Sequence, residues 1–398
     1  MTTGPTHRRT AADHVTWRTG TVTARNRSWP GARELTVRLG EPLPAPDSAT
    51  AVDEVRALAY TTLVGDPDVG DRLALNVSAL ARGLGTGGYA LVVAPADPAA
   101  VPADPPPGPG HLVKARYTPL QALVLGVDEQ ESEHHAVLQD ADDLAGLPVV
   151  VADLHSAVPA IVAGARLAAE VAGTAPPRVA YLMTDGGALP AAFSRTVAAL
   201  RENDWLTSTI TVGQAFGGDH EAVSVHSGLL AARHVVRADL VVVAQGPGNL
   251  GTGTRWGFSG VTAGEAVNAA ATLGGRAVAS LRVSGADQRE RHLGVSHHSL
   301  TAYGRVALAP ADVVVPRPDE QLQDRTAWGA DLTRRVREQA ATLGARHRLV
   351  DVPATAETLD VLRRCPVRLS TMGRGLDADP AAFVAAAVAG QHARTLLT

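Results

Sequence analysis

Residues 289 to 300 read RERHLGVSHHSL and crowd His292, His297, His298, Arg289 and Arg291 into one short stretch. Two chemistries suit such a set. Zinc sites commonly take two histidines a few positions apart, with further ligands from elsewhere in the fold. His292 and His297 are five apart, and His155 and His220, each near the end of a β-type run, could complete the set for zinc or manganese. No H-E-x-x-H or H-x-H pattern accompanies them. The guanidinium groups of Arg282, Arg289 and Arg291 argue the other way, because clustered arginine repels a cation and attracts an anion. The stretch therefore predicts an anion-binding, proton-transferring loop, with a divalent metal site or a plain solvated loop as alternatives. Side chains of adjacent helical residues diverge by about 100°. Only one of His297 and His298 is thus expected to face a ligand directly.

Other polar residues follow apolar runs in the same manner. Asp219 and His220 lie in GGDHE, where they could supply a general base or a ligand, or merely cap the next helix. Asp185 in MTDGGALP has the same two readings. GPGNLG, residues 246–251, matches the dinucleotide pattern G-x-G-x-x-G. Its setting is wrong for NAD: further glycines delay the helix, and no acid ends the next strand to hold a ribose. A broader role remains, in which Gly246, Gly248, Gly251, Thr252 and Thr254 cradle a phosphate or carboxylate with backbone N–H groups and hydroxyls. A long glycine turn made for tight packing is the equally simple reading. Lys114 is the only lysine among 36 basic residues. It stands directly after a proline-rich segment, next to Arg116, and is predicted to be at least partly buried and aimed at a crevice that holds an anion.

These residues need elements to position them. From residue 13 to 97, VTWRTGTVTARN, ELTVRLG, VRALAYTTLV, DRLALNVS and YALVVA read as five short strands separated by turn chemistry. That pattern predicts a small β-barrel of the OB or SH3-like kind. Eight arginines against ten acids there, with few aromatics, disfavour nucleic acid. Residues 1–12 are expected to be disordered, and residues 98–110 form a proline-rich linker. Over 111–398, near-continuous apolar runs such as PVVVADLH, RVAYLMTD, STITVGQAF, DLVVVAQG and RAVASLRVSG alternate with Ala-rich helical stretches. This predicts an α/β domain with a doubly wound, mostly parallel sheet. Helices are expected around 320–343 and 380–396. Six polar loops, the last being TMGRG, would then line one edge of the sheet, where such folds bind ligands.

The net charge of −4 gives no global field towards nucleic acid or anionic lipid. A single cysteine, Cys365, excludes an internal disulfide. No signal-type leader or membrane-length apolar run is visible, so the setting expected is the cytoplasm. A homo-oligomer is compatible with the composition.

GHLVKARYTPLQ, YLMTDGGALPAAFS, TITVGQAFGGDHEAV, GPGNLGTGT, RERHLGVSHHSLTA and STMGRG follow one another along the chain. In that order they resemble the domain-of-unknown-function 3866 family of actinomycetes and Gram-positive spore-formers. The resemblance covers nearly the whole chain, the barrel included. It implies a shared architecture and a bacterial cytosolic setting, and it brings no activity, cofactor or assigned residue with it. The functional expectation rests on the residues: an enzyme that acts on a small anionic substrate, perhaps a phosphorylated one, by hydrolysis or group transfer. A metabolite-binding sensor or scaffold is the alternative.

Overall fold

A computed structural model describes residues 15–44, 51–85 and 87–397. The segment expected to be disordered, 1–12, lies outside the described residues. The chain divides into two compact units, Met1–Gly108 and Pro109–Thr398.

The smaller unit is a closed barrel of five strands: β1 (Trp17–Trp29), β2 (Ala32–Leu43), β3 (Val52–Tyr60), β4 (Arg72–Asn76) and β5 (Ala90–Pro95). Their order is β1-β2-β3-β5-β4, with β3 and β5 parallel and the other neighbours antiparallel. Register shifts between Val22 and Ala24 and between Arg25 and Ser28 let the long β1 curl, as bulges do. Val22, Leu35, Val37, Leu58, Leu73, Leu75 and Val92 fill the interior. All five predicted strands are present. The end of the third run is different, since Thr61–Val64 is a helical turn.

In the larger unit a hairpin of β6 (Leu112–Lys114) and β7 (Ala122–Val124) comes first. Then follow β8 (Pro148–Val151), β9 (Val179–Thr184), β10 (Ser208–Thr211), β11 (His220–Glu221), β12 (Leu240–Gln245) and β13 (Arg276–Ser280). A second small hairpin joins β14 (Val283–Ser284) to β15 (Gly294–Val295), and β16 (Asp312–Pro318) and β17 (Arg348–Ala354) complete the set. Eight of these strands make one parallel sheet in the order β11-β10-β9-β12-β8-β13-β16-β17. β8, β9, β10 and β12 are buried along their full length; β8, β9 and β12 accordingly read as near-continuous apolar runs, whereas β10 is Ser-Thr-Ile-Thr.

Two groups of helices cover the faces. Val158–Val171, Ala356–Arg363 and Pro380–Thr395 pack together, and so do Val225–His234, Thr262–Thr272 and the π-turn Ala302–Val306. The first group comes into backbone contact. A Cβ on Gly164 would sit 1.8 Å from the Ala387 carbonyl oxygen, and one on Gly390 would sit 1.8 Å from that of Ile161. The segment expected as one helix, 320–343, is two, Glu320–Arg325 and Ala330–Ala341. No helix among the described residues is long and apolar enough to cross a membrane.

The strand order positions the chemistry. After β8 the chain moves towards β9, passing β12; after β12 it moves the other way to β13, passing β8. Chains that leave adjacent strands in opposite directions open a crevice at their carboxyl ends. Asp153 follows β8 and Gln245 ends β12, and the Gln245 Nε2 donates to the Asp153 carbonyl at 3.0 Å. Two small cavities, about 10 and 20 Å³, flank Asp153 there.

Candidate functional site

Arg282 leaves β13, and the β14/β15 hairpin sends out a loop that carries Asp287, Arg289, Arg291 and His292. Ser296 then starts the short helix His297–Thr301. Its Oγ accepts from the His298 N–H at 3.2 Å and lies 2.8 Å from Nδ1 of His292, so one hydroxyl ties the helix start to the loop. The π-turn continues that helix, and its Tyr303 hydroxyl reaches the carbonyls of Val151 (2.8 Å) and Ser280 (3.2 Å). The histidine-bearing helix is thereby fastened to the ends of β8 and β13. Irregular turns of this kind recur at functional sites.

His292, His297 and His298 converge. Their ring centroids are 4.9, 5.0 and 4.4 Å apart, and one nitrogen from each falls within 4.8 Å of the others. Both members of the adjacent pair join the cluster, contrary to the expected divergence. The rings of His297 and His298 sit edge to face with planes at 61°, so both reach His292 from neighbouring positions of one helix. Phe258 stacks on His298 with centroids 3.9 Å apart and planes 1° from parallel. Arg282 Nη1 donates to Nδ1 of His298 at 3.1 Å, and Oδ2 of Asp153 lies 3.9 Å from the same nitrogen.

All three rings are held neutral. Burial, reinforced by Arg282, pushes His292 and His298 down to about 3. His297, half-buried, is lowered by burial and by Arg291, Arg282, Arg289 and Arg255. Burial pushes the Asp153 carboxyl up while Arg282 opposes it. Asp287 is held well below the usual carboxylate range by a two-pronged pair with Arg289, whose Nε and Nη2 donate to it at 2.9 Å each. Arg374 joins Asp287 (3.1 Å) to the buried Asp379 (3.0 Å). Arg291 and Arg255 are exposed.

The remaining predicted residues have other partners. Asp219 stands alongside Thr209, set back from the carboxyl end of β10, and binds Arg201, Ser208 and Thr209. The Gly-Gly before it folds the chain back, so that His220 and Glu221 form the edge strand β11 in place of a polar loop. His220 packs edge-on against His134, 5.7 Å away, and so belongs to a different cluster from His292 and His297. Asp185 is exposed and accepts from the Gln214 N–H at 2.8 Å. Lys114 is buried, as expected. Its amine binds the Ala215 and Ala222 carbonyls at 3.1 and 2.9 Å and faces Glu221 at 3.5 Å, which clamps the β6/β7 hairpin to the sheet edge and leaves no donor for a ligand. Arg116 is exposed, with its backbone on Gln214.

The glycine loop is likewise spent on itself. Gly187 and Gly246 let the loops after β9 and β12 touch: a Cβ on Gly187 would lie 2.1 Å from the Gly246 carbonyl oxygen. Gly248 takes a left-handed φ of 89°, which favours glycine. Gly251 bridges Phe258, Thr252 N–H donates to Gly257, and the Thr252 and Thr254 hydroxyls meet at 3.1 Å. The loop's contribution to the cluster is therefore Phe258 and Arg255, neither of which the motif marks. TMGRG forms a hairpin of its own, Ser370–Thr371 with Arg374–Gly375, and contributes Arg374.

His155 is also separate from the cluster. Its Nε2 lies 2.7 Å from Ser194 Oγ and its Nδ1 3.0 Å from the Tyr181 hydroxyl, and burial lowers it to about 4. A folded value below the ordinary 6.5 means that the folded protein binds fewer protons than the unfolded chain. Its stabilisation is complete above about pH 6.5 and is lost as the pH falls to about 4, for a total on the order of 3 kcal/mol. Urea unfolding across that range should show the loss, and His155→Gln should flatten the slope.

A family model described as a protein of unknown function, DUF3866, matches residues 56–390. The chain belongs to the DUF3866 family. No curated protein and no solved structure matches it. The DUF3866 match begins inside β3 and contains the whole histidine cluster with all of its arginine and carboxylate neighbours.

Proposed function

We propose that the crevice around His292, His297 and His298 is the active site of an enzyme that transforms a small anionic substrate, such as a phosphate ester, by hydrolysis or group transfer. One observation carries the reading: three imidazoles meet beside two exposed arginines, Arg291 and Arg255, that pair with no carboxylate among the described residues. Guanidinium groups hold the anion, and the charge of the bound anion would raise the proton affinity of the neighbouring imidazoles, so that one can take the proton of an attacking water or hydroxyl. In hydrolysis the water oxygen bonds to phosphorus as the ester P–O bond breaks. The proton leaves the water and ends on the departing alkoxide. A bacterial cytoplasm suits the protein, since its one cysteine is half-buried and burial pushes its thiol up to about 11.

The test is calorimetry with inorganic phosphate and turnover of p-nitrophenyl phosphate. Phosphate should bind, and Arg291→Gln combined with Arg255→Gln should weaken it roughly 10-fold or more. Binding without turnover of any ester would favour the sensor reading. Absence of both binding and turnover, with citrate and pyrophosphate also tried, would end the proposal.

A further inference from the structure

We infer that His292, His297 and His298 together hold one divalent transition metal ion of the zinc type. This deepens the reading above, on which it rests for its catalytic meaning, because the ion would be the means by which the three lone pairs act on one water.

The arrangement of second partners supports it. Ligating histidines usually commit their other ring nitrogen to a neighbouring group, which fixes the ring. Nδ1 of His292 is committed to Ser296, and Nδ1 of His298 faces Arg282 and Asp153. Nε2 is the nitrogen left over on His292 and His298; on His292 it meets Arg291 Nε at a long 3.4 Å. Nε2 of His297 is buried and has no hydrogen-bond partner. A polar atom in that position is costly unless something fills the space before it. Oδ2 of Asp153 is also buried and unpartnered. With the His298 proton moved to Nδ1 and the contact from Arg282 given up, a modest turn of the ring would let Nδ1–H donate to it and free Nε2 for the ion, giving the carboxylate–histidine–metal relay typical of such centres.

Charge is the natural objection, since arginines surround the site. Most of them are already matched. Arg289 is paired with Asp287, Arg374 with Asp287 and Asp379, and Arg282 faces Asp153. The guanidiniums left over, Arg291 and Arg255, are exposed at the surface, where they would meet an anion bound to the ion. Three imidazoles without a carboxylate ligand select zinc, cobalt, nickel or copper over magnesium or calcium. Three protein ligands also leave the open position that distinguishes catalytic from structural zinc sites. The ligand nitrogens, spread over 4.8 Å, must draw together by about 1 Å to meet bonds of about 2.0–2.1 Å. The half-buried His297 has the most room to do so.

The full-length protein, stripped with a chelator, is titrated with Co²⁺ and its visible d–d absorption followed, with Zn²⁺ measured by calorimetry. One equivalent should bind. His297→Ala should abolish the cobalt spectrum, Asp153→Asn should weaken binding roughly 10- to 100-fold, and His220→Ala should behave as wild type. His297→Asn, checked by circular dichroism, guards against a variant that fails to fold. No stoichiometric binding by the wild type, or binding that survives both His297 variants, would overturn the inference. Phosphate binding by the metal-free protein separates the two readings. Phosphate without metal leaves the anion site and removes the metal centre. Metal without phosphate or ester turnover leaves the centre and removes the proposed function.

Discussion

Gly164→Ala will destabilise the larger unit by about 3 kcal/mol or more. The direction is the reverse of the usual one, since Ala in a helix interior is ordinarily favoured over Gly by about 1 kcal/mol. Here the added carbon would sit 1.8 Å from the Ala387 carbonyl oxygen, a backbone atom that no rotamer change can move. Gly390→Ala meets the Ile161 carbonyl at the same distance and should behave alike. Overpacking costs about 1–3 kcal/mol where side chains can adjust, and more where two backbones must separate. Urea midpoints decide the matter. A gain of stability in either variant would mean that the helices Val158–Val171 and Pro380–Thr395 are not in backbone contact.

Asp379→Ala should cost about 3–5 kcal/mol, the usual loss when one partner leaves a buried charge network. Asp379 accepts from Ser284 Oγ (2.6 Å), the Gly285 N–H (3.0 Å) and Arg374 Nε (3.0 Å), and its side chain is fully enclosed. Without it, Arg374 keeps Asp287 and a long contact to Ser284 Oγ (3.5 Å), and the loop that carries Arg289 and His292 loses an anchor. Phosphate affinity should fall together with stability. Asp377→Ala is the contrast, because Asp377 is 89% exposed and meets Arg363 only at 3.5 Å. That variant should stay within about 0.5 kcal/mol of wild type.

Periodicity carried the fold. Near-continuous apolar β8, β9 and β12 announce a sheet buried on both faces, and β4 of the barrel alternates as a half-buried strand must. Two-residue strands such as β11 and the β14/β15 hairpin have no period to detect, so GGDHE read as a loop. The cluster was legible where the chain itself supplies it, in RERHLGVSHH. Its other members come from far away: Phe258 from the glycine loop, Asp153 after β8, Arg374 and Asp379 from the last hundred residues. Asp153 carried a faint signal, an acid at the end of VVVAD; Asp379 carried none. Gly246, Thr252 and Thr254 left two readings open because a loop that packs backbone against backbone and one that cradles an anion ask for the same residues.

The clamp made by Lys114 has a bearing on covalent chemistry. The chain holds a single side-chain amine, and that amine is buried against two carbonyls and a carboxylate. Amine-selective reagents and lysine-directed cross-linkers therefore find no side-chain target on the folded larger unit. Nor would an acetylating enzyme, whose donor must reach an uncharged, accessible nitrogen. Were the β6/β7 hairpin to lift from the sheet edge, that nitrogen would become accessible, so amine labelling of Lys114 would report local opening at this edge.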